Sequence, residues 1–210
     1  MTELILARHG QTAWNVAEVF RGQTEVDLDE VGIKQAELLA EYLSERKIEA
    51  VYSSPLKRAF KTAHAIASFH KLQVITAQSL IDLKFGEWEG LTVTEVQKKY
   101  PVLFQDWVER PHLVKIPGGE SLDDITWRVK TFINNLVTKH RGIVVLVSHR
   151  AVHKVLTLAI LGLDNSHFWN IRLDTAAITT FTHEDSQWVL NELNNTCYLR
   201  PLMQPKLKDF

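Results

Sequence analysis

The sequence predicts an α/β fold, a three-layer α/β/α sandwich around a mostly parallel central sheet. Two apolar runs, residues 4–7 (LILA) and 143–147 (IVVLV), are short and lack polar alternation, as strands buried on both faces do. Strand-like runs alternate with stretches of helical periodicity, the pattern of helices covering both faces of a parallel sheet. A chain of 210 residues with 45% hydrophobic content suits one such domain and supplies its core. No repeat, low-complexity tract or linker divides it, so residues 1–210 are expected to form one domain.

Each element has its own local signal. The first strand ends at Arg8-His9-Gly10, and residues 16–28, which include Gly22, read as an ordered loop. Asp29 is a suitable N-cap for a helix over about 31–46, where Ile33, Ala36, Leu39, Ala40 and Leu43 recur at helical spacing. A short strand covers 50–52. Ser53-Ser54-Pro55 then predicts a helix over about 55–69, with a serine cap and proline in the first position. That helix carries Arg58 on its first turn and Thr62 one turn later. Another short strand covers 73–76. Residues 80–90, LIDLKFGEWEG, read as irregular backbone holding three carboxylates, Asp82, Glu87 and Glu89. Residues 92–109 look helical with a break at Pro101, and 111–119 form a loop. Ser121 caps a helix from 122 to about 140, which Gly142 ends. The strand over 143–147 runs into Ser148-His149-Arg150, and a helix over about 151–162 follows. Alternating stretches at 176–182 and 188–193 predict an antiparallel hairpin at the sheet edge.

In open α/β sheets, ligands bind outside the carboxyl ends of the strands. His9 and His149 stand at two such ends, 140 positions apart (149 − 9), each beside an arginine. If both strands are central, the two imidazoles converge on one crevice, and the helix that carries Arg58 can point its positive end there too. Such a cluster suits a phosphate. The guanidinium fork matches phosphate oxygens, and an imidazole can attack phosphorus while its other ring nitrogen is held. Gly10 has no Cβ to keep backbone away from a ligand.

Composition removes other classes. Lys+Arg 24 against Asp+Glu 25 gives a net charge of -1, so no global field favours nucleic acid or an anionic membrane, and the anion site must be local. The six tryptophans are scattered and read as packing residues. Cys197 stands alone, which excludes an internal disulfide and fits a reducing compartment. The N-terminal apolar run reaches charge after four residues, too soon for a signal peptide or a membrane span, so the expected location is the cytoplasm. His149 and His153 have the spacing of a zinc-binding helix. Arg150 lies where that motif needs glutamate, and its charge opposes a metal, so no metal and no cofactor are expected.

LILARHGQTAWN, GIKQAELLAEYL, VYSSPLKRAFKTA, FGEWEGLT, PGGES and VLVSH, in that order over about residues 3–165, resemble the histidine phosphatase superfamily, also called phosphoglycerate mutase-like. The resemblance implies that His9 is the nucleophile, phosphorylated during turnover, with Arg8, Arg58 and His149 completing the phosphate pocket. Asn15 falls at a polar pocket position, and Gln23 lies in the loop that often lines the substrate side. The proton donor would stand four residues before Gly86, at Asp82, where many members carry glutamate. Glu87 is the alternative acid, and Glu89 is expected to bond loop backbone. Arg150 replaces a glycine of many relatives and adds charge suited to a second anionic group on the substrate. Phe85 stands where certain phosphoserine-specific members carry histidine, which speaks against that specificity.

The implied function is metal-independent hydrolysis of a small phosphorylated metabolite through phosphohistidine. A phosphoglycerate mutase is one alternative. Mutases of the family are usually longer in the middle region, and only about 30 residues separate Gly90 from Ser121 here. A non-catalytic relative that binds phosphorylated ligands is the other, and the complete set Arg8, His9, Arg58 and His149 argues against it. The hairpin edge could pair with a second copy to give a homodimer.

Overall fold

The computed structural model describes residues 1–202. The first apolar run forms the middle of β1 (Thr2–Arg8). Successive side chains of a strand point to opposite faces, so a run without polar residues must be covered twice. Leu4 and Leu6 accordingly enter one hydrophobic core, while Ile5 and Ala7 enter a second on the other face. β2 (Ile48–Ser53), β3 (Val74–Thr76), β4 (Ile143–Ser148), β5 (Ile178–Glu184) and β6 (Gln187–Asn195) complete the sheet.

Among the described residues the sheet has six strands in the order β3-β2-β4-β1-β5-β6. The first four are mutually parallel, and β5 and β6 join antiparallel. The two strands with apolar centres, β1 and β4, are neighbours in the middle, with Arg8 level with Ser148. The hairpin is at the edge, as its alternation predicts, and β5 seals β1 from that side.

α1 (Ala13–Val16) is a single turn after β1. α2 (Glu30–Leu43) is capped by Asp29, whose side chain accepts from the Gly32 amide at 2.8 Å. Together with α3 (Lys57–Phe69) it covers the face of Ile5, Ala7, Val145 and Val147. The opposite face is covered by α6 (Leu122–Lys139) and α7 (Arg150–Ile160), with Trp107 of α5 (Pro101–Glu109) in the same core. α4 (Val93–Lys99) precedes α5, and Pro101 opens α5 as its first residue. Among the described residues no helix is long and apolar enough to cross a membrane.

Two helix ends depart from the local reading. α3 begins at Lys57, beyond the Ser-Ser-Pro signal, and its cap position, Leu56, makes no side-chain bond. Ser53 Oγ donates to the Ser54 carbonyl, whereas Ser54 Oγ accepts from the Leu56 amide at 3.3 Å just ahead of α3 and also meets the site described below. α6 ends at Lys139 with His140 extended, and Gly142 supplies no left-handed cap. Its carbonyl instead accepts from the Glu3 amide at 3.0 Å. The irregular stretch 80–90 winds around Trp88, which is fully buried against Phe20 and Trp107. Trp127, at 74% exposure, is the tryptophan that does not read as packing.

Candidate active site

The site forms where β1 and β4 end. The His9 amide donates to the Ser148 carbonyl at 3.0 Å, and the ring centroids of His9 and His149 lie 5.1 Å apart. Both histidines are at most 1% exposed. His9 Nδ1 sits 2.6 Å from the Gly10 carbonyl. A carbonyl only accepts, so Nδ1 carries the hydrogen and Nε2 keeps its lone pair. Burial, then the charges of Arg58 and Arg8, hold the His9 pKa well below the usual histidine value. Burial and Arg58 do the same at His149. Both rings are therefore neutral at pH 7.

Gly10 serves a different purpose from the one its sequence position suggests. A Cβ there would lie 2.4 Å from the Gly32 carbonyl oxygen, so the missing side chain lets α2 close on the strand end. Its amide donates to Thr62 Oγ1 at 3.2 Å, which ties the turn to α3. His149 is fixed from the other side, with Nε2 2.8 Å from Ser54 Oγ. Its Nδ1 is buried, has no hydrogen-bond partner among the described residues, and lies 3.5 Å from Asp82 Oδ2.

Arg58 is fully buried. Its Nη1 donates to the Thr24 carbonyl at 2.9 Å, and its Nη2 to the Gly22 carbonyl at 2.7 Å and Asp82 Oδ2 at 3.2 Å. Those bonds fix the plane of the guanidinium, as an oriented oxyanion donor requires. Gly22 has a φ of +51°, a conformation that other L residues rarely adopt, and a Cβ there would strike the Glu89 carboxylate. Arg8 is 6% exposed and donates to the Leu173 carbonyl. Arg150, the first residue of α7, lines the cleft with Arg8, Asn15, Asp82 and Phe85.

The acidic candidates separate clearly. Asp82 is 5% exposed, its Oδ1 accepts from the Leu83 amide at 2.9 Å, and its Oδ2 faces Arg58 and His149. Glu87 is exposed and turned away, bonded by the Tyr100 hydroxyl at 2.7 Å. Glu89 accepts from the amides of Gln23 and Phe85, binding loop backbone as expected. Gln23 spends its side-chain amide on the Asp82 carbonyl at 3.1 Å, so it braces the stretch that carries the acid. Asn15 lines the cleft while its Oδ1 accepts from the Thr12 amide and hydroxyl.

One cleft residue escaped the sequence reading. Arg21 lines the same wall, and its Nη1 donates to the Trp14 carbonyl at 3.1 Å. Burial first, then Arg8 and Arg150, push its guanidinium well below the usual arginine value. Such crowding of cations is favourable only when an anion enters. The available signal was slight: a basic residue directly before Gly22 in a loop otherwise rich in acids. Among the described residues no group of three or more His, Cys, Asp or Glu side chains could hold a metal ion. The groups on offer are an uncharged imidazole with an open Nε2 lone pair, a ring of guanidinium donors and one inward carboxyl group.

The chain matches a family model described as histidine phosphatase superfamily (branch 1) over residues 4–196. It is 42% identical over 200 residues to phosphoserine phosphatase 1 of Hydrogenobacter thermophilus, covering 95% of each chain. It is 34% identical to the metal-independent phosphoserine phosphatase of Arabidopsis thaliana, over 95% of this chain and 84% of the relative. Among solved structures it superposes on the phosphoserine phosphatase of Entamoeba histolytica in complex with 3-phosphoglyceric acid. That match has a TM-score of 0.86 and 29% identity, over 95% of this chain and 100% of the other.

Proposed function

The chain belongs to the histidine phosphatase superfamily and is a phosphoric monoester hydrolase, and from that premise we propose that it cleaves a small phosphomonoester metabolite, without a metal, through a phosphohistidine at His9. The observation that carries this is the hydrogen bond from His9 Nδ1 to the Gly10 carbonyl. It leaves Nε2 as the only nucleophilic ring position, and burial keeps that position unprotonated.

The steps follow from the geometry. Nε2 forms a bond to phosphorus while the bond to the leaving oxygen breaks in line, and Asp82 gives its proton to that oxygen. Arg8, Arg58 and the Nδ1–H of His149 hold the equatorial oxygens, where the transition state carries its charge. Ser54 Oγ, 2.8 Å from Nε2 of His149, holds the ring with Nδ1 turned inward, and in the tautomer where the hydroxyl donates to Nε2 it is Nδ1 that carries the hydrogen. Asp82 then takes a proton from the water that attacks phosphohistidine, and inorganic phosphate leaves. Asn15 and Arg150 line the side on which the alcohol half rests. Gln23 acts at one remove, by positioning residue 82.

The family match over residues 4–196 supports one domain. The lone cysteine supports a cytoplasmic location, and β6, an edge strand, is the surface for pairing with a second copy. The test is chemical trapping. Rapid quenching with substrate, without acid, should put a phosphoryl mass increment on the peptide that holds His9. A fully active His9→Ala protein would overturn the mechanism.

A further inference from the structure

Among the described residues two cleft arginines, Arg21 and Arg150, have no task in transferring the phosphoryl group. Arg21 is built into the wall more definitely than a solvated loop residue would be. Its Nη1 is anchored on the Trp14 carbonyl at 3.1 Å and more loosely on the Val19 carbonyl at 3.5 Å. Its Nε is buried without a hydrogen-bond partner among the described residues. A guanidinium anchored at Nη1 and enclosed at Nε is held in a fixed plane on the cleft wall, which leaves its Nη2 edge for a ligand.

We propose that Arg21 binds a carboxylate on the alcohol half of the substrate, so that the enzyme selects phosphomonoesters of hydroxy acids over those of plain alcohols. This rests on the phosphatase reading above. Position favours the alcohol half over the phosphate. Arg58 grips the carbonyl of Gly22, the residue next to Arg21, so the phosphate pocket and Arg21 share a wall without sharing a place. Arg21 also bears on His9 less strongly than Arg58 and Arg8 do, as a charge set further from the reacting nitrogen should. Around it the cleft is partly apolar, with Phe20, Phe85 and Val93.

O-phospho-L-serine and O-phosphoethanolamine differ only in the carboxylate, so the ratio of their kcat/KM values reads this contact directly. A ratio from one preparation is independent of how much of a variant is folded. The wild-type ratio should favour phosphoserine. Arg21→Gln should lower it by at least about tenfold, chiefly through the KM for phosphoserine, as for loss of one charge-assisted hydrogen bond. Arg21→Lys should restore part of the preference, since it keeps the charge and loses the fork. A ratio within about twofold of wild type in Arg21→Gln overturns the assignment, as does a wild-type enzyme that cleaves p-nitrophenyl phosphate yet shows no preference for the carboxylate. A wild-type protein that hydrolyses none of the three sinks the phosphatase reading itself.

Discussion

Replacing Asp82 by asparagine should separate substrates by how much help their leaving groups need. An alkyl alkoxide is expelled from phosphorus only as it gains a proton, whereas nitrophenolate departs unaided. Asparagine keeps the shape of the side chain and can still accept from the Leu83 amide, now at 2.9 Å, but has no carboxyl proton to give. For an alkyl phosphate kcat/KM, which reads phosphoryl transfer to His9 and not the later hydrolysis shared by all substrates, should fall by roughly 10²–10⁴, the range for general acid catalysis. That range corresponds to about 3–5 kcal/mol on the barrier. For p-nitrophenyl phosphate the loss should stay within about tenfold. The substitution also replaces a buried carboxylate 3.2 Å from Arg58 with an amide. Loss of that charge-assisted bond should reduce stability by about 1.5–3 kcal/mol in urea titration, separately from the catalytic effect. Arg58 itself should stay in place, because the Gly22 and Thr24 carbonyls continue to hold it. Steady-state kinetics on both substrate types, with Glu87→Gln as the comparison, decide the matter. Glu87 is exposed and bonded to Tyr100, so its variant should behave almost as wild type. Equal losses on both substrates in Asp82→Asn, or leaving-group dependence in Glu87→Gln, would refute the assignment.

Three further outcomes follow from the same geometry. Arg58→Ala should lose on the order of 10²–10³ in kcat/KM with an aryl phosphate, the scale of one oxyanion donor, and Arg150→Ala should lose less; the reverse order would show the two arginines misplaced. Dialysis against EDTA should leave kcat within about twofold, since guanidiniums supply the charge that a metal would, and inactivation reversed by an added metal would contradict this. Acid should destabilise the fold early. Burial, then Arg8, lowers the His153 pKa from 6.5 to about 3, so between those values the unfolded chain binds a proton that the native one refuses. Stability is therefore complete above pH 6.5 and falls as pH drops through that window, by up to about 1.4 kcal/mol per unit from this residue alone. His9 and His149 are depressed in the same direction and add to the loss. Urea titrations at pH 7 and pH 5 should show His153→Leu losing about 2 kcal/mol less than wild type between them, and an unchanged wild-type stability at pH 5 would remove the basis for the claim.

Local pattern was enough for most elements and for the convergence of His9, Arg8 and His149. An apolar run without polar alternation marks a strand covered on both faces, and residues 4–7 and 143–147 marked β1 and β4 in this way before any pairing was known. Histidine and arginine at both carboxyl ends then placed His9, Arg8 and His149 where a ligand binds. The family spacing before Gly86 singled out Asp82. Tertiary structure decided what each group touches. The register that sets Arg8 level with Ser148 pairs residues 140 apart, and so brings the two imidazoles to 5.1 Å. Ser54 read as a helix cap because its neighbours resemble one, yet its hydroxyl is bonded to His149, 95 positions away. Gly10 read as room for a ligand and proved to be room for α2. Glu87 and Asp82 are both acids of one short loop, and only the packing of Trp88 and the Tyr100 hydroxyl turns one outward while the other meets Arg58. Arg21 is the extreme case, since its neighbours in the chain, Gly22 and the acids of the loop, barely distinguish a solvated loop arginine from one folded into a cleft. Periodicity, capping and turn preference act between near neighbours in sequence, whereas charge and hydrogen bonding act through space. The cations that crowd Arg21 come from positions 8, 58 and 150, and only the folded sheet puts them together.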